Sequence, residues 1–487
     1  MRRLTLINLL MVSILAAPAG ASVTLLAKGQ LGGTTDLSGL SGLMENGLPG
    51  NILGGIGSGL TYAGGNTFLA VPDRGPNATL YNSAVDDTVS YISRFQTLSM
   101  GLTASAPGSA LPFDLTPTLA HTTLLFSPTS LTYGTGAGLG TKIDHVTPIG
   151  SGVPGLNTPT SFYFSGRSDN FGAGDSGNPA NARFDPESIR VSNDGKSVFI
   201  SDEYGPYVRQ FDRSTGELIK TFTLPANLDV ANLSPSGATE IVGNSSGRVA
   251  NKGMEGLAIT PDGKTLVGIM QAPIIQDAVD PATASLLRIV AIDIATGTTH
   301  EYGYKLTTGS GVSDIVALND HEFLVDERDG KGLGDGSNAK IKQIFRIDLT
   351  GAADITGLTG ATAAASVVGK SGTPFLDLVA ALTAFGITKD QIPAKIEGIS
   401  FGEDVLFEGS LLHTLFIGND NDFLPGIAGP NQFYVFGFKD SDLPGFAQQQ
   451  FIASVPEPAS WAMMIAGFGL LGGALRKRKA PVAVTYV

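Results

Sequence analysis

Acidic side chains recur at matching places along this chain. Glu187, Glu255 and Glu397 each stand just before or within a short apolar run. Asp73, the pair Asp202 and Glu203, the pair Asp326 and Glu327, and Asp420 each stand where the following apolar run ends. Arg74, Arg190, Arg209, Lys252, Arg328 and Lys395 lie beside them. Carboxylates gathered away from water are costly unless they hold cations or basic partners. An all-oxygen set of this density suits Ca2+, which takes six to eight oxygens at roughly 2.3–2.6 Å. The adjacent basic residues would then hold an anionic substrate such as a phosphate ester, or would pair with the acids next to them. Any single Asp at a strand end also suits turn capping. It is the recurrence that points to a site.

The elements that must carry these residues repeat. In "FDPESIRVSNDGKSVFISDEYGPYVRQFDRSTGELIK" (184–220) an acid leads an apolar run, "DGK" turns the chain, and a second run ends in a polar cluster. A hairpin with a D-x-x-T-G turn follows. The plan returns in "KGMEGLAITPDGKTLVGIMQAP" (252–273) with "LLRIVAIDIATGTTHEYGY" (286–304). It returns again in "VSDIVALNDHEFLVDERDG" (312–330) with "KQIFRIDLTGA" (342–352), and in "KIEGISFGEDVLFEGSLLHTLFIGNDND" (395–422) with "NQFYVFGF" (431–438). "GSGLTYAGGNTFLAVPDRGPN" (57–77) follows it without the leading acid. Such turn pairs suit tight hairpins, whose central residues need positive φ. Strand–turn–strand units in series predict four-stranded blades, and radial repetition of blades makes an all-β β-propeller. Four or five blades are clear, and the Gly/Thr/Pro-rich stretch 101–183 has room for one or two more, giving five to seven. A pair of β-sandwiches is the competing architecture. Residues 353–394 suit a helical insertion. In a propeller, equivalent positions converge on the axis, so the recurring carboxylates should meet there.

Composition narrows the function. Only 15% of the 487 residues are charged, against roughly 25% in an average soluble domain. The net charge of −13 argues against nucleic acid as a partner. There are no cysteines, which excludes disulfides and thiolate metal sites. "GNSSG" (243–247) matches the serine-elbow pattern, but no helix start follows it, so it reads as a loop. "VVGKS" (367–371) lacks the upstream glycine of a phosphate-binding loop, and "DERDGKGLGDG" (326–336) lacks EF-hand spacing. The five histidines show no zinc spacing.

Both ends read as targeting segments. Residues 1–21 have two arginines, an apolar stretch and small residues near Ala21, the pattern of a Sec signal peptide. After a linker (441–454), residues 455–479 hold Pro456-Glu457-Pro458, Trp461, one apolar stretch from Ala459 to Leu475, and the basic cluster Arg476 to Lys479. The apolar stretch is barely long enough to span a bilayer, and its basic end would stay cytoplasmic. This order resembles the PEP-CTERM sorting signal of Gram-negative bacteria. That resemblance implies export through the Sec machinery, recognition by an exosortase, transient anchoring by the C-terminal helix, and delivery to the cell surface or an exopolysaccharide matrix.

The stretch between, residues 22–440, resembles a known family as well. "FDPESIRVSNDGKSVFISDEYGPYVRQFD", "NKGMEGLAITPDGKTL", "DIVALNDHEFLVDERD" and "KIEGISF" together resemble the phytase-like domain known as "esterase-like activity of phytase". The resemblance implies a secreted propeller and, less directly, metal-assisted hydrolysis of a phosphomonoester with Ca2+ as cofactor. Glu187, Glu255 and Glu397 would act in catalysis. Asp73, Asp202, Glu203, Asp326, Glu327 and Asp420 would bind metal, and Arg74, Lys252 and Arg328 would hold the substrate. The full ligand set of the calcium-dependent propeller phytases does not align onto this chain. Two alternatives stay open: a non-catalytic surface propeller that binds a matrix ligand, and a calcium-dependent lactonase-like hydrolase.

Overall fold

The computed structural model describes residues 23–78, 89–307 and 309–451. The signal peptide and the sorting segment expected above lie outside the described residues. Five antiparallel sheets stand around one axis. Blade 1 is Gly59–Tyr62, Thr67–Val71, Arg94–Ser99 and Thr118–Leu124, from inside outward. Blade 2 is Pro186–Val191, Ser197–Asp202, Tyr207–Asp212 and Leu218–Phe222. Blade 3 is Met254–Ile259, Thr265–Met270, Leu286–Asp293 and Thr299–Lys305. Blade 4 is Gly311–Ala317, Glu322–Arg328 and Lys342–Asp348, edged by the two-residue strands Gly369–Lys370 and Leu376–Asp377. Blade 5 is Ile396–Phe401, Ser410–Asn419 and Asn431–Phe438, and its outer strand is the N-terminal Thr24–Leu31. Each inner strand touches the next, and the fifth touches the first, so the ring is closed.

The count of five sits at the low end of the expected range. Residues 101–183 add no blade. They supply the outer strand of blade 1 and two small antiparallel pairs of two- and three-residue strands. Glycine and proline are too frequent there to sustain a ladder. The insertion at 353–394 does hold helices, Gly360–Ala364 and Leu378–Ala384. The D-x-x-T-G turns work as their spacing suggests. Asp212 and Asp293 accept hydrogen bonds from Ser214 N (2.9 Å) and Thr296 N (2.7 Å), while Gly216 and Gly297 take φ near 78° and 79°.

The core lies between blades rather than at the axis. Leu69 and Phe95 pack on Ile189 and Ile200; Phe199 and Val208 on Leu257 and Met270; Ile289 on Ile315 and Val325. Leu324 and Ile344 pack on Ile399 and Leu415, and Phe416 and Phe433 pack on Leu60 and Phe68. At the axis the inner strands crowd. The equivalent positions are Gly59, Ser188, Gly256, Asp314 and Gly398. A Cβ on Gly398 would lie 2.8 Å from Leu60 N, and one on Gly256 would lie 2.9 Å from Asp314 Cα. Only one larger side chain fits this layer, and it is Asp314. Its carboxylate accepts Ser188 Oγ (2.9 Å), Ile315 N (2.9 Å), Ile399 N (3.0 Å) and Arg190 Nη2 (2.9 Å to each oxygen). Arg190 in turn donates to Leu60 O, Ile189 O, Ile315 O and Ile399 O. This buried pair ties blades 1, 2, 4 and 5 together and plugs the channel.

Candidate active site

Every inner strand begins on the same face of the propeller. In blades 2 to 5 its pairing with the second strand slips once near that start, at residues 186–189, 254–256, 312–315 and 396–399. A bulge leaves a residue out of the ladder and re-aims its side chain. The slipped segments contain Glu187, Glu255, Ser313 with Asp314, and Glu397. A repeated backbone irregularity therefore accompanies the three leading glutamates.

Around them runs a ring of charge. Asp73 lies 3.9 Å from Arg74, and Arg74 donates to Asp185 through its backbone N (3.0 Å) and Nη1 (3.4 Å). Asp185, Glu187 and Glu203 each offer an oxygen within 4.8 Å of the others, and all three are buried. Glu203 lies beside Glu255, whose charge acts on it, and Glu255 Oε1 accepts Gln271 Nε2 (2.7 Å). Arg328 stands 3.6 Å from Glu255, pairs closely with Glu397 and bonds Ser313 Oγ. Lys395 lies 3.7 Å from Glu397, pairs with Asp420, and reaches Asp422 at 2.8 Å. Asp73, Asp420 and Asp422 form a second triad within 4.8 Å of one another, which closes the ring. Successive residues Asp422 and Phe423 hold φ near 51° and 57°, sparsely populated values that cluster at functional sites. The Phe423 ring is fixed against Tyr91, 5.1 Å away.

Eight carboxylates here face three cations, Arg74, Arg328 and Lys395. The excess appears in their proton affinities. Burial first, then the charge of Glu255, pushes Glu187 well above the usual carboxylate range, and the same two causes act on Glu203. Burial and Asp420 do the same to Asp73. Burial and Glu397 lift Glu255 to about 7 against the pull of Arg328. Burial lifts Asp420 to about 7 despite Lys395. Glu255 Oε2 and Glu397 Oε2 are buried with no hydrogen-bond partner. Crowded carboxylates with unsatisfied oxygens fit a divalent cation, because ligation removes both the repulsion and the unmet bonding.

The other candidates fall elsewhere, and the period of two along a strand is the reason. Asp202 points away from its neighbour Glu203. It accepts Asp185 N (2.9 Å), Tyr204 N (3.0 Å) and Gly205 N (3.3 Å), and its charge faces Arg209, whose guanidinium stacks on Phe164, Phe184 and Tyr207. Glu327 accepts Tyr304 Oη (2.5 Å) and Thr307 N (3.1 Å) and pairs with Lys370, between blades 3 and 4. Both expected metal ligands are thus spent on turns and blade contacts. Asp326 faces the same side as Arg328 but sits two residues deeper. Neither of its oxygens has a hydrogen-bond partner, and burial lifts it to about 8. Lys252 is exposed at the rim. Asp185 and Asp422, absent from the expected ligands, complete the two triads. Nothing in their spacing marked them, since neither has a counterpart in the other repeats. "GNSSG" follows the helix Gly237–Val242 rather than a strand, so its serines have no elbow. A cleft of about 460 Å³ lies over the outer part of blade 1, but its acid, Glu45, is bonded to Ser90 and lies 3.6 Å from Arg167.

Comparison with known proteins matches two segments of the chain. Residues 51–423 match the family model described as phytase-like, "esterase-like activity of phytase". Residues 454–479 match the PEP-CTERM protein-sorting motif. An "uncharacterized secreted protein" of Arthroderma benhamiae (strain ATCC MYA-4681 / CBS 112371) is 31% identical over 295 residues, covering 53% of each chain. The chain thus spans about half the length of the curated relative it matches. Among solved structures, a luciferin-regenerating enzyme is 10% identical with a TM-score of 0.32, covering 82% of this chain and 96% of its own. XC5397 from Xanthomonas campestris, described as a gluconolactonase, is 11% identical with a TM-score of 0.25, covering 58% and 63%. Likenesses this loose carry no argument about activity.

Proposed function

The chain belongs to the phytase-like, "esterase-like activity of phytase" family, and on that premise we propose that it is an exported, calcium-dependent hydrolase of phosphomonoesters acting at the axial ring. The sorting motif marks it as a surface-sorted protein, handled by an exosortase. One observation carries the catalytic reading: two carboxylate triads, Asp185/Glu187/Glu203 and Asp73/Asp420/Asp422, flank Arg74.

Each triad would hold a cation. When bound, calcium supplies positive charge opposite the phosphate oxygens and lowers the pKa of water in the site. The chain's residues set the rest. Eight carboxylates repel a phosphate, so substrate entry requires that cations or protons cover them. Arg74 and Arg328 are fixed by their acids and present positive charge to the phosphate. Hydrolysis adds water across the P–O ester bond. Glu255, held near neutrality with a free Oε2, is suited to take the proton from water and return it to the leaving oxygen.

The test is hydrolysis of p-nitrophenyl phosphate, phytate and p-nitrophenyl acetate by the purified protein, with Ca2+ and with chelator. Calcium-dependent phosphate release is expected. It should fall by about 10²-fold or more in Glu187→Gln/Glu255→Gln, with circular dichroism unchanged. Turnover retained in that double variant overturns the site. Calcium binding without turnover on any substrate turns the reading to a binding propeller.

A further inference from the structure

The chain does not stop at the last blade strand. After Phe438 it turns back across the face opposite the acidic ring. Arg346 Nη2 donates to Pro444 O (3.1 Å), and Asn319 Nδ2 to Gly445 O (3.1 Å). Ala447 N donates to Leu318 O (2.7 Å) and Gln448 Nε2 to Gly402 O (2.6 Å). Gln449 Nε2 reaches Val191 O (2.8 Å) and Asn193 Oδ1 (2.7 Å), and the Phe451 ring meets Tyr62 at 5.9 Å. The segment has thus touched blades 4, 5, 2 and 1 in turn. Phe446 is clamped between Phe401 (4.5 Å) and His413 (4.7 Å). Beneath the segment is a small cavity whose lining includes Thr61, Arg190, Ile259, Val316 and Ser400, from all five inner strands, with Gln448 and Gln449 against it. That cavity is the far mouth of the axial channel.

We propose that residues 439–451 form a strap that seals this mouth and fixes where the sorting segment leaves the propeller. The chain reaches the matched sorting motif, residues 454–479, three residues past Phe451. At no more than about 3.6 Å per residue, three residues span only about 11 Å. The sorting segment therefore departs from the far face, close to the axis. The Arg190–Asp314 pair plugs the channel above the strap, so this mouth does not lead through to the acidic ring. Two consequences follow. The far face is the surface turned toward the membrane that holds the sorting segment. The acidic ring faces away from it, open to soluble molecules.

The absence of cysteine makes the test clean. Asn338→Cys places a thiol in the exposed loop on the ring face, between Glu322–Arg328 and Lys342–Asp348. Lys264→Cys places one in the exposed turn on the far face, between Met254–Ile259 and Thr265–Met270. The full chain is exported in a host with the sorting machinery, and intact cells are treated with a bulky, membrane-impermeant PEG-maleimide. Asn338→Cys should label severalfold faster than Lys264→Cys on cells, and the two should label alike after detergent release. Equal rates on cells, faster labelling of Lys264→Cys, or recovery of the protein only in the medium each overturn the proposal. A second measurement checks the strap alone. Gln449→Ala/Phe451→Ala should speed limited proteolysis within 439–451 severalfold while leaving the blades resistant. Unchanged cleavage overturns the strap.

Discussion

Arg328 holds two buried acids, Glu255 and Glu397, and is itself fixed by Ser313. Arg328→Ala leaves Glu255 without its charge partner and Glu397 with Lys395 alone, 3.7 Å away. Without calcium, a loss of about 3–5 kcal/mol in unfolding free energy is expected, the usual effect of breaking a buried pair. Added calcium should recover part of it, because cations in the neighbouring triads would lower the negative potential around Glu255 and Glu397. Urea denaturation with and without Ca2+ reads both quantities. Equal losses in the two conditions would separate Arg328 from the proposed metal sites. At this scale the alternation along a strand decides which acid matters. Glu203 enters the ring while Asp202, one residue earlier, caps a turn.

The inner strands carry the next level. Their starts must come close enough for the glutamates to meet, which leaves almost no room at the layer below. Gly398→Ala places a methyl group 2.8 Å from Leu60 N and 3.0 Å from Gly57 O, both backbone atoms that cannot swing aside. A cost of about 1–3 kcal/mol is expected from overpacking. Asp314→Asn keeps the shape but leaves Arg190 buried without its counter-charge, for which about 3–5 kcal/mol is expected. Thermal unfolding of the two variants ranks them, and a smaller loss in Asp314→Asn than in Gly398→Ala would contradict the role assigned to the axial pair.

For the whole molecule, the surplus of acid sets a pH dependence. Glu255 moves from 4.5 when free to about 7 in the fold, and Asp420 from 3.8 to about 7. Between those values the folded chain binds more protons than the unfolded one. Their contribution to metal-free stability is therefore fully present below the lower values and is lost as pH rises through about 7. Saturating Ca2+ should flatten the curve, since bound cations replace protons. A metal-free melting temperature that rises from pH 5 to 8 would contradict the charge balance described for the ring. Closure acts at the same scale. Thr24–Leu31 completes blade 5 by pairing with Asn431–Phe438 along its length, so the first and last parts of the propeller are bound together. Deleting residues 23–31 exposes that edge and should broaden the unfolding transition, as differential scanning calorimetry would show.

The sequence alone determined the blades, their turns and the axial meeting of Glu187, Glu255 and Glu397, because those features are local and repeat. A hairpin turn needs its Asp and Gly at fixed offsets, and a repeat puts equivalent residues at equivalent radii. What it left open came from contacts between repeats. Only the tertiary structure decided that five blades close the ring, because the closing strand lies at least 400 residues from its partner. Only it brought Asp185 and Asp422 into the triads and took Asp202 and Glu327 out of them, since a bulge or a one-residue alternation changes the direction of a side chain without changing its place in a motif. Asp314 sits inside a recognised repeat, yet its place as the one acid filling the axis depends on four neighbouring strands that offer glycine or serine there. Steric room at the axis is a property of the closed ring, and no single repeat carries it.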